Sequence, residues 1–297
     1  MVEIKNVSDL NEIEEIFINS CKNNSLGIGY PRCDNKGELK AEIELYNQEI
    51  LESSFKILKD DIIVGALIFL KDEAENTTYI GGPVFKEGVA ISNVLDFVFD
   101  KVVQISNPNS NLICCPLDEN IQLVNYLTNT NWFLDGESLE MKYSMIDDSR
   151  TLEQNDNICK RLEKETERAT FDAVADLLGT THNWNSNHQE RVLELLADGF
   201  EINYISQAEL IVSAIVWIDM KNTDFSRIDY VSTNVNSRRK GYAKKMVNTV
   251  ILKNIKLKNN HIYLATSPNN TVAISFYKKM GFSKNLISLV YTKKMRT

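Results

Sequence analysis

The two halves of this 297-residue sequence end alike. Asn120, Leu123, Leu127, Asn131 and Trp132 are answered, each 150 positions later, by Asn270, Ala273, Tyr277, Gly281 and Phe282. Upstream, Val64–Phe69 reads like Val212–Trp217, and Tyr79-Ile80 like Tyr230-Val231. An ordered series at one spacing is the mark of a duplicated unit, and it constrains the fold more than any single motif. Each half therefore has to be a domain of ordinary size with its own core. The spacing predicts residues 1–146 as a first domain, an acid-rich polar linker over 147–156, and 157–297 as a second domain.

Periodicity predicts the same element order in both halves, an α/β chain with a mixed sheet in each. In the first half a short strand (Val2–Lys5) precedes helices near Leu10–Cys21 and Glu38–Glu52. Strands follow near Phe55–Leu58, Ile62–Leu70 and Thr77–Val84, then a helix over Val89–Ile105, a strand over Leu112–Cys115, a helix over Asn120–Asn129 and two last strands. The second half runs parallel to it, with helices near Phe171–Leu178 and His188–Ala197 and strands near Ile202–Ile205, Leu210–Ile218 and Arg227–Thr233.

Several classes of function are set aside by charge and composition. With 33 Lys and Arg against 41 Asp and Glu, the net charge of −8 supplies no positive field for nucleic acid or an anionic membrane. The longest apolar run, Ile62–Leu70, is too short to span a bilayer, and the N-terminus does not open like a signal peptide, so a cytoplasmic protein is expected. Five cysteines without a CxxC pair fit free thiols better than disulfides or a zinc ribbon. Three histidines without metal-ligand spacing point to no metal site.

The chemistry concentrates in Tyr230–Ala243, where a strand runs through a polar turn into a helix. A helix start carries unpaired N–H groups and the positive end of the dipole, so cations there are disfavoured. Arg238, Arg239, Lys240 and Lys244 nevertheless crowd this one. A polyphosphate seated in the turn would relieve their repulsion, and Gly241 lets the backbone approach it. Neither the Walker nor the Rossmann glycine pattern is present.

Arg238-Arg-Lys-Gly241-Tyr-Ala243 resembles the [Q/R]xxGx[G/A] signature of the GNAT superfamily of N-acetyltransferases. Asn270, Ala273, Tyr277 and Gly281-Phe282 are similar to its second signature, in the same order. The resemblance covers the C-terminal half fully and the N-terminal half in architecture. It implies two GNAT-like domains, each a mixed, mostly antiparallel sheet flanked by helices. It also implies acetyl-CoA as cofactor and a small-molecule or peptide amine as acceptor, in a monomer or homodimer.

By that resemblance, Val231, Ser232 and Thr233 would offer backbone groups to pantetheine. Arg238, Arg239, Lys240, Gly241, Tyr242, Ala243 and Lys244 would hold the pyrophosphate, and Asn270 would also touch coenzyme A. Asn270 also reads as a helix N-cap, and the two roles are compatible. Tyr277 would protonate the departing thiolate, and a core tyrosine packed beside Ala273 is its alternative reading. Asp229 is the candidate general base by its own position, near the end of the strand that carries the pantetheine groups, and a plain surface aspartate fits that position nearly as well. His182, Trp184 and His188, expected in the segment joining two helices, would line the acceptor pocket; an ordinary polar loop fits that segment equally. The N-terminal half, with Pro83–Ala90 at its turn, Glu87 where phosphate would sit and Leu127 in place of Tyr277, would be degenerate. A tandem-GNAT acyl or aminoacyl transferase of thiol or cell-wall metabolism is the alternative within this fold; a non-catalytic acyl-CoA-binding regulatory module is the alternative outside catalysis.

Overall fold

The computed structural model describes residues 1–46, 48–73, 75–145, 158–185 and 187–295, with backbone alone at 92 and 93. The expected linker over 147–156 lies outside the described residues. The chain divides into two compact units, one of Met1–Leu139 with Leu286–Thr297 and one of Glu140–Asn285.

The first unit contains β1 (Val2–Asn6), α1 (Asn11–Lys22), α2 (Glu38–Leu45), α3 (Ile50–Ser53), β2 (Ser54–Lys59), β3 (Ile62–Asp72) and β4 (Thr77–Phe85). There follow α4 (Ser92–Ile105), β5 (Asn111–Cys114), α5 (Ile121–Asn129) and the start of β6 (Phe133–Ser144). Ile13, Ile16, Phe17, Ser20 and Cys21 are the buried stripe of α1, at the spacing that turns one helix face inward. The run Gly65–Leu70 in β3 is buried throughout, as expected of a strand covered on both faces. β1 to β4 pair antiparallel in chain order, and β4 pairs β5 in parallel.

The second unit contains the end of β6, β7 (Lys160–Arg161), α6 (Arg168–His182), α7 (His188–Ala197), β8 (Glu201–Gln207), β9 (Leu210–Asp219) and β10 (Phe225–Thr233). It continues with α8 (Tyr242–Leu257), β11 (His261–Thr266), α9 (Thr271–Met280) and the start of β12 (Ser283–Lys294). β7 to β10 pair antiparallel in chain order and β10 pairs β11 in parallel, repeating the order of the first unit. The capping chemistry repeats as well. Asn120 accepts from the N–H of Leu123, and Asn270 from that of Ala273. Gly281 ends α9 in the left-handed conformation, and Phe282 is buried against Tyr143.

The last strands depart from the expected 1–146 and 157–297 division. β12 pairs β5, with Tyr291 opposite Cys114, so the segment from Leu286 onward belongs to the first unit, while Glu140–Ser144 belongs to the second. The described part of the first half also ends in one long strand rather than two. Alternation of side chains says which face of a strand is buried, and says nothing of which sheet the strand joins.

Candidate functional site

The site of the second unit starts from a defect in β10. Parallel pairing with β11 runs from Phe225 opposite His261 to Ile228 opposite Leu264 and stops there. On the β9 side the register slips at the same point, between Ile228 and Tyr230, leaving Asp229 as the bulged residue. A bulge bends the strand away from its neighbour. Beyond it β10 stays paired to β9 alone, as far as Thr233 opposite Ser213.

Strand geometry then assigns each backbone group a direction. The N–H of Asn234 donates to the carbonyl of Val212 at 3.0 Å, so Asn234, Ser232 and Tyr230 bond towards β9. Val231 and Thr233 therefore turn their N–H and C=O groups to the side from which β11 has withdrawn. Of the three residues expected to meet pantetheine through their backbone, Val231 and Thr233 fit. Ser232 does not, because its main chain faces β9 and its carbonyl also accepts from Ser213 Oγ at 2.7 Å.

The open edge leads into the turn that starts α8. Gly241 precedes the helix with φ of +83°, a left-handed geometry that favours glycine, and no side chain caps the helix. The N–H of Lys245 bonds the carbonyl of Gly241, but those of Arg239, Lys240, Gly241, Tyr242, Ala243 and Lys244 have no acceptor among the described residues. Arg238, Arg239, Lys240 and Lys244 are exposed and, among the described residues, in no ion pair. Arg238 Nε reaches only the carbonyl of Thr233, at 3.4 Å. Six unpaired N–H groups beside four unneutralised cations suit an anion. The residues thus fit a pyrophosphate at the turn and an amide-bearing chain along Val231 and Thr233.

Tyr277 lies on α9, its ring against Phe276 and Phe282. Its hydroxyl has no hydrogen-bond partner among the described residues, and burial pushes its pKa up to about 12. It remains a proton donor through the physiological range. Asn270 caps α9 with its oxygen, which leaves its exposed NH₂ available to a ligand.

Asp229, expected as general base, is engaged otherwise. Arg227 grips it as a fork, Nε to Oδ1 at 2.8 Å and Nη2 to Oδ2 at 3.4 Å, with both side chains about four-fifths buried. To accept a proton the carboxylate would have to surrender this bidentate pair. The pair was legible as two residues of opposite charge spaced to share one strand face.

Two of the acceptor-side residues are on helix ends, His182 as the last residue of α6 and His188 as the first of α7, while Trp184 lies between the helices. The structure brings His182 and Trp184 to β10 and His188 to Asp176 of α6. His182 Nε2 is 3.0 Å from Ser232 Oγ, with its ring 4.8 Å from that of Tyr230. Trp184 meets Tyr230 edge-on at 5.3 Å. His188 Nδ1 is 3.1 Å from Asp176 Oδ1. Sequence reasoning missed Tyr230, the floor on which the His182 and Trp184 rings meet, because its signal was a strand aromatic like any other.

The His188 ring fits only because residue 179 is glycine: a Cβ there would stand 2.2 Å from His188 Cδ2. Gly179→Ala is expected to leave overall stability within about 1 kcal/mol, helix propensity offsetting the lost contacts. It should displace His188 from Asp176, which NMR of the His188 ring checks.

In the first unit the corresponding place is filled by the chain itself. β4 leaves β5 after Ile80 opposite Cys114. Gly27–Gly29 then pair with the continuation of β5: the N–H of Gly29 donates to the carbonyl of Cys115 at 2.7 Å, and that of Leu117 to Gly27 at 3.3 Å. Pro116 bonds Leu289 on the opposite side, so this inserted segment lies on the side that faces β4. Asn120 donates its NH₂ to the carbonyl of Gly27 at 3.0 Å, and Pro31 abuts Gly81 of β4. Pro83, two residues before the strand's end as Val231 is in β10, has no N–H to offer. Among the described residues no three His, Cys, Asp or Glu side chains gather as a metal site, and no helix is long and apolar enough to cross a membrane.

The fold is shared with GNAT proteins of solved structure. The chain matches a GCN5-related N-acetyltransferase from Sphaerobacter thermophilus with a TM-score of 0.71 at 11% identity, over 100% of this chain and 96% of the other. It is also similar to a tandem GNAT protein from the clavulanic acid biosynthesis pathway (TM-score 0.66, 9% identity, 100% and 99% covered). A GNAT-family acetyltransferase from Colwellia psychrerythraea gives a TM-score of 0.56 at 12% identity, with 98% of each chain covered. More particularly, residues 207–290 match the FR47-like protein family, a span that holds the β10 edge, the α8 turn and α9. No curated protein matches the sequence.

Proposed function

We propose that the protein is an N-acetyltransferase that moves the acetyl group of acetyl-CoA to a primary amine of a small molecule or peptide, with its working site in the second unit. The observation that carries this reading is the open β10 edge running into the uncapped, cationic start of α8. Val231 and Thr233 would pair with pantetheine amides, the N–H groups of Arg239–Lys244 would hold pyrophosphate, and Asn270 would add a donor. The amine nitrogen would form a bond to the acetyl carbon as the C–S bond breaks, and Tyr277 would return a proton to the sulfur. The two units would be a tandem duplication in which the first has lost its slot. Five free cysteines suit a reducing compartment, and we place the protein in the cytoplasm.

Calorimetry should find one equivalent of acetyl-CoA per chain. The first unit lacks the donor at Pro83, its slot holds Gly27–Gly29, and its nearby cavity of about 460 Å³ sets Glu15 and Glu87 against Lys22 and Lys86. Two equivalents would overturn the assignment, as would loss of binding in Lys86→Ala but not in Arg239→Ala. Thiol release with an amine panel supports the enzyme; tight binding without turnover would instead make the chain an acyl-CoA-binding module.

A further inference from the structure

We infer that His182 is the general base that takes the proton from the attacking ammonium, at its Nδ1. The inference rests on the acetyltransferase reading above and goes beyond it by naming the group that Asp229, held by Arg227, is poorly placed to be. Its first support is position. His182 closes α6 directly over the segment of β10 that has lost β11, with Nε2 3.0 Å from Ser232 Oγ and its ring on Tyr230. Val231 and Thr233, which would carry the pantetheine, flank that serine. A base there stands beside the end of the cofactor arm.

Its second support is the division of labour between the ring nitrogens. Nε2 meets the buried Ser232 hydroxyl, whereas Nδ1 has no partner among the described residues. If Nε2 carries the hydrogen and Ser232 accepts it, the lone pair is left on Nδ1, which is the arrangement a base requires. Burial lowers the pKa below its ordinary value, so the ring stays neutral where an exposed histidine would be partly charged. The groups around it do not oppose this. Tyr230 and Ser232 face it from β10, while Arg227 and Asp229 neutralise each other. On the helices, Arg191 is engaged with Tyr230 and with Glu194, and His188 with Asp176. The protons balance: one passes from the ammonium nitrogen to Nδ1 and the freed amine attacks; as the C–S bond breaks the thiolate takes the Tyr277 proton, and the second proton that the nitrogen sheds on becoming an amide restores Tyr277 through water.

The test has two readouts. Imidazole NMR of the full chain, with the His182 signal assigned by its loss in His182→Gln, should show a neutral ring protonated at Nε2, with a titration midpoint below that of the exposed reference near 6.5. A ring protonated at Nδ1 would overturn the inference whatever the kinetics. With spermidine, lysine and triglycine as acceptors, His182→Gln should lower kcat/KM about 10²-fold at pH 7 and leave acetyl-CoA affinity within about twofold. The deficit should shrink as pH rises towards about 10, where the amine arrives already neutral and needs no base. A deficit constant with pH, or none, would also overturn it. Should the wild-type protein turn over none of these amines, the acetyltransferase reading fails separately, and the tautomer still decides whether Nδ1 is free to act.

Discussion

Tyr277→Phe should lower kcat by about 10²-fold, the low end of what a positioned proton donor contributes. Stability and acetyl-CoA affinity should scarcely change, because the substitution removes one oxygen and keeps the ring. The expectation rests on two observations: the ring is packed between Phe276 and Phe282, and its hydroxyl bonds nothing among the described residues. A hydroxyl without a partner in the fold gains little for folding, so its loss costs little. With the pKa at about 12, the hydroxyl stays protonated and contributes no basic limb to the rate profile below that value. Tyr277→Ala differs. It should remove about 3–5 kcal/mol of stability through the cavity it leaves, measurable as a fall in the denaturation midpoint. Wild-type kcat in the Phe variant across the pH range would make Tyr277 a packing residue and leave the cofactor site standing.

The contrast between Tyr277 and its counterpart shows what a sequence can disclose. Leu127 is fully buried, and Asn120 spends its NH₂ on Gly27, where Asn270 leaves its own exposed. The substitutions were legible as a loss of chemistry in the first half. Their structural companion, the Gly27–Pro31 segment lodged against β5, was not. It arises from pairing between residues far apart in the chain, and no local pattern marks it. The exchange of β6 and β12 escaped for the same reason.

Within the second half, the turn from Arg238 to Lys244 was readable because clustered cations at a helix start contradict the dipole and call for a ligand. The bulge at Asp229 was not readable, since an extra residue in a strand shows in backbone register and hardly at all in composition. That bulge decides which carbonyls are open. Without it Val231, Ser232 and Thr233 look equivalent, and the register separates Ser232 from the other two. The same register places the Ser232 side chain under His182, joining two residues that the sequence had given to different partners.

Gly241→Asp is the second large effect, and it should weaken acetyl-CoA binding by about 1–3 kcal/mol. That corresponds to roughly 5- to 150-fold in Kd. A Cβ at this position meets no atom within 4 Å beyond its chain neighbours, so the substitution starts from open space rather than from packed core. Its direct cost to folding is the left-handed conformation at φ of +83°, about 1–2 kcal/mol, of which Asn and Asp recover part through local hydrogen bonds. The open space the new group enters borders the unpaired N–H groups of Arg239–Lys244, where pyrophosphate would lie. Two causes then add: bulk that keeps phosphate from the backbone, and a carboxylate that repels it. Gly241→Asn separates them, because it has the same shape and backbone strain without the charge. The Asn variant should bind a few-fold less tightly than wild type, and the Asp variant weaker still. The gap between the two should narrow as salt is raised, since the Debye length falls from about 10 Å at 0.1 M to about 3 Å at 1 M. Equal affinities for Asn and Asp at low salt, in folded proteins, would mean that no phosphate approaches this turn and that acetyl-CoA is held elsewhere.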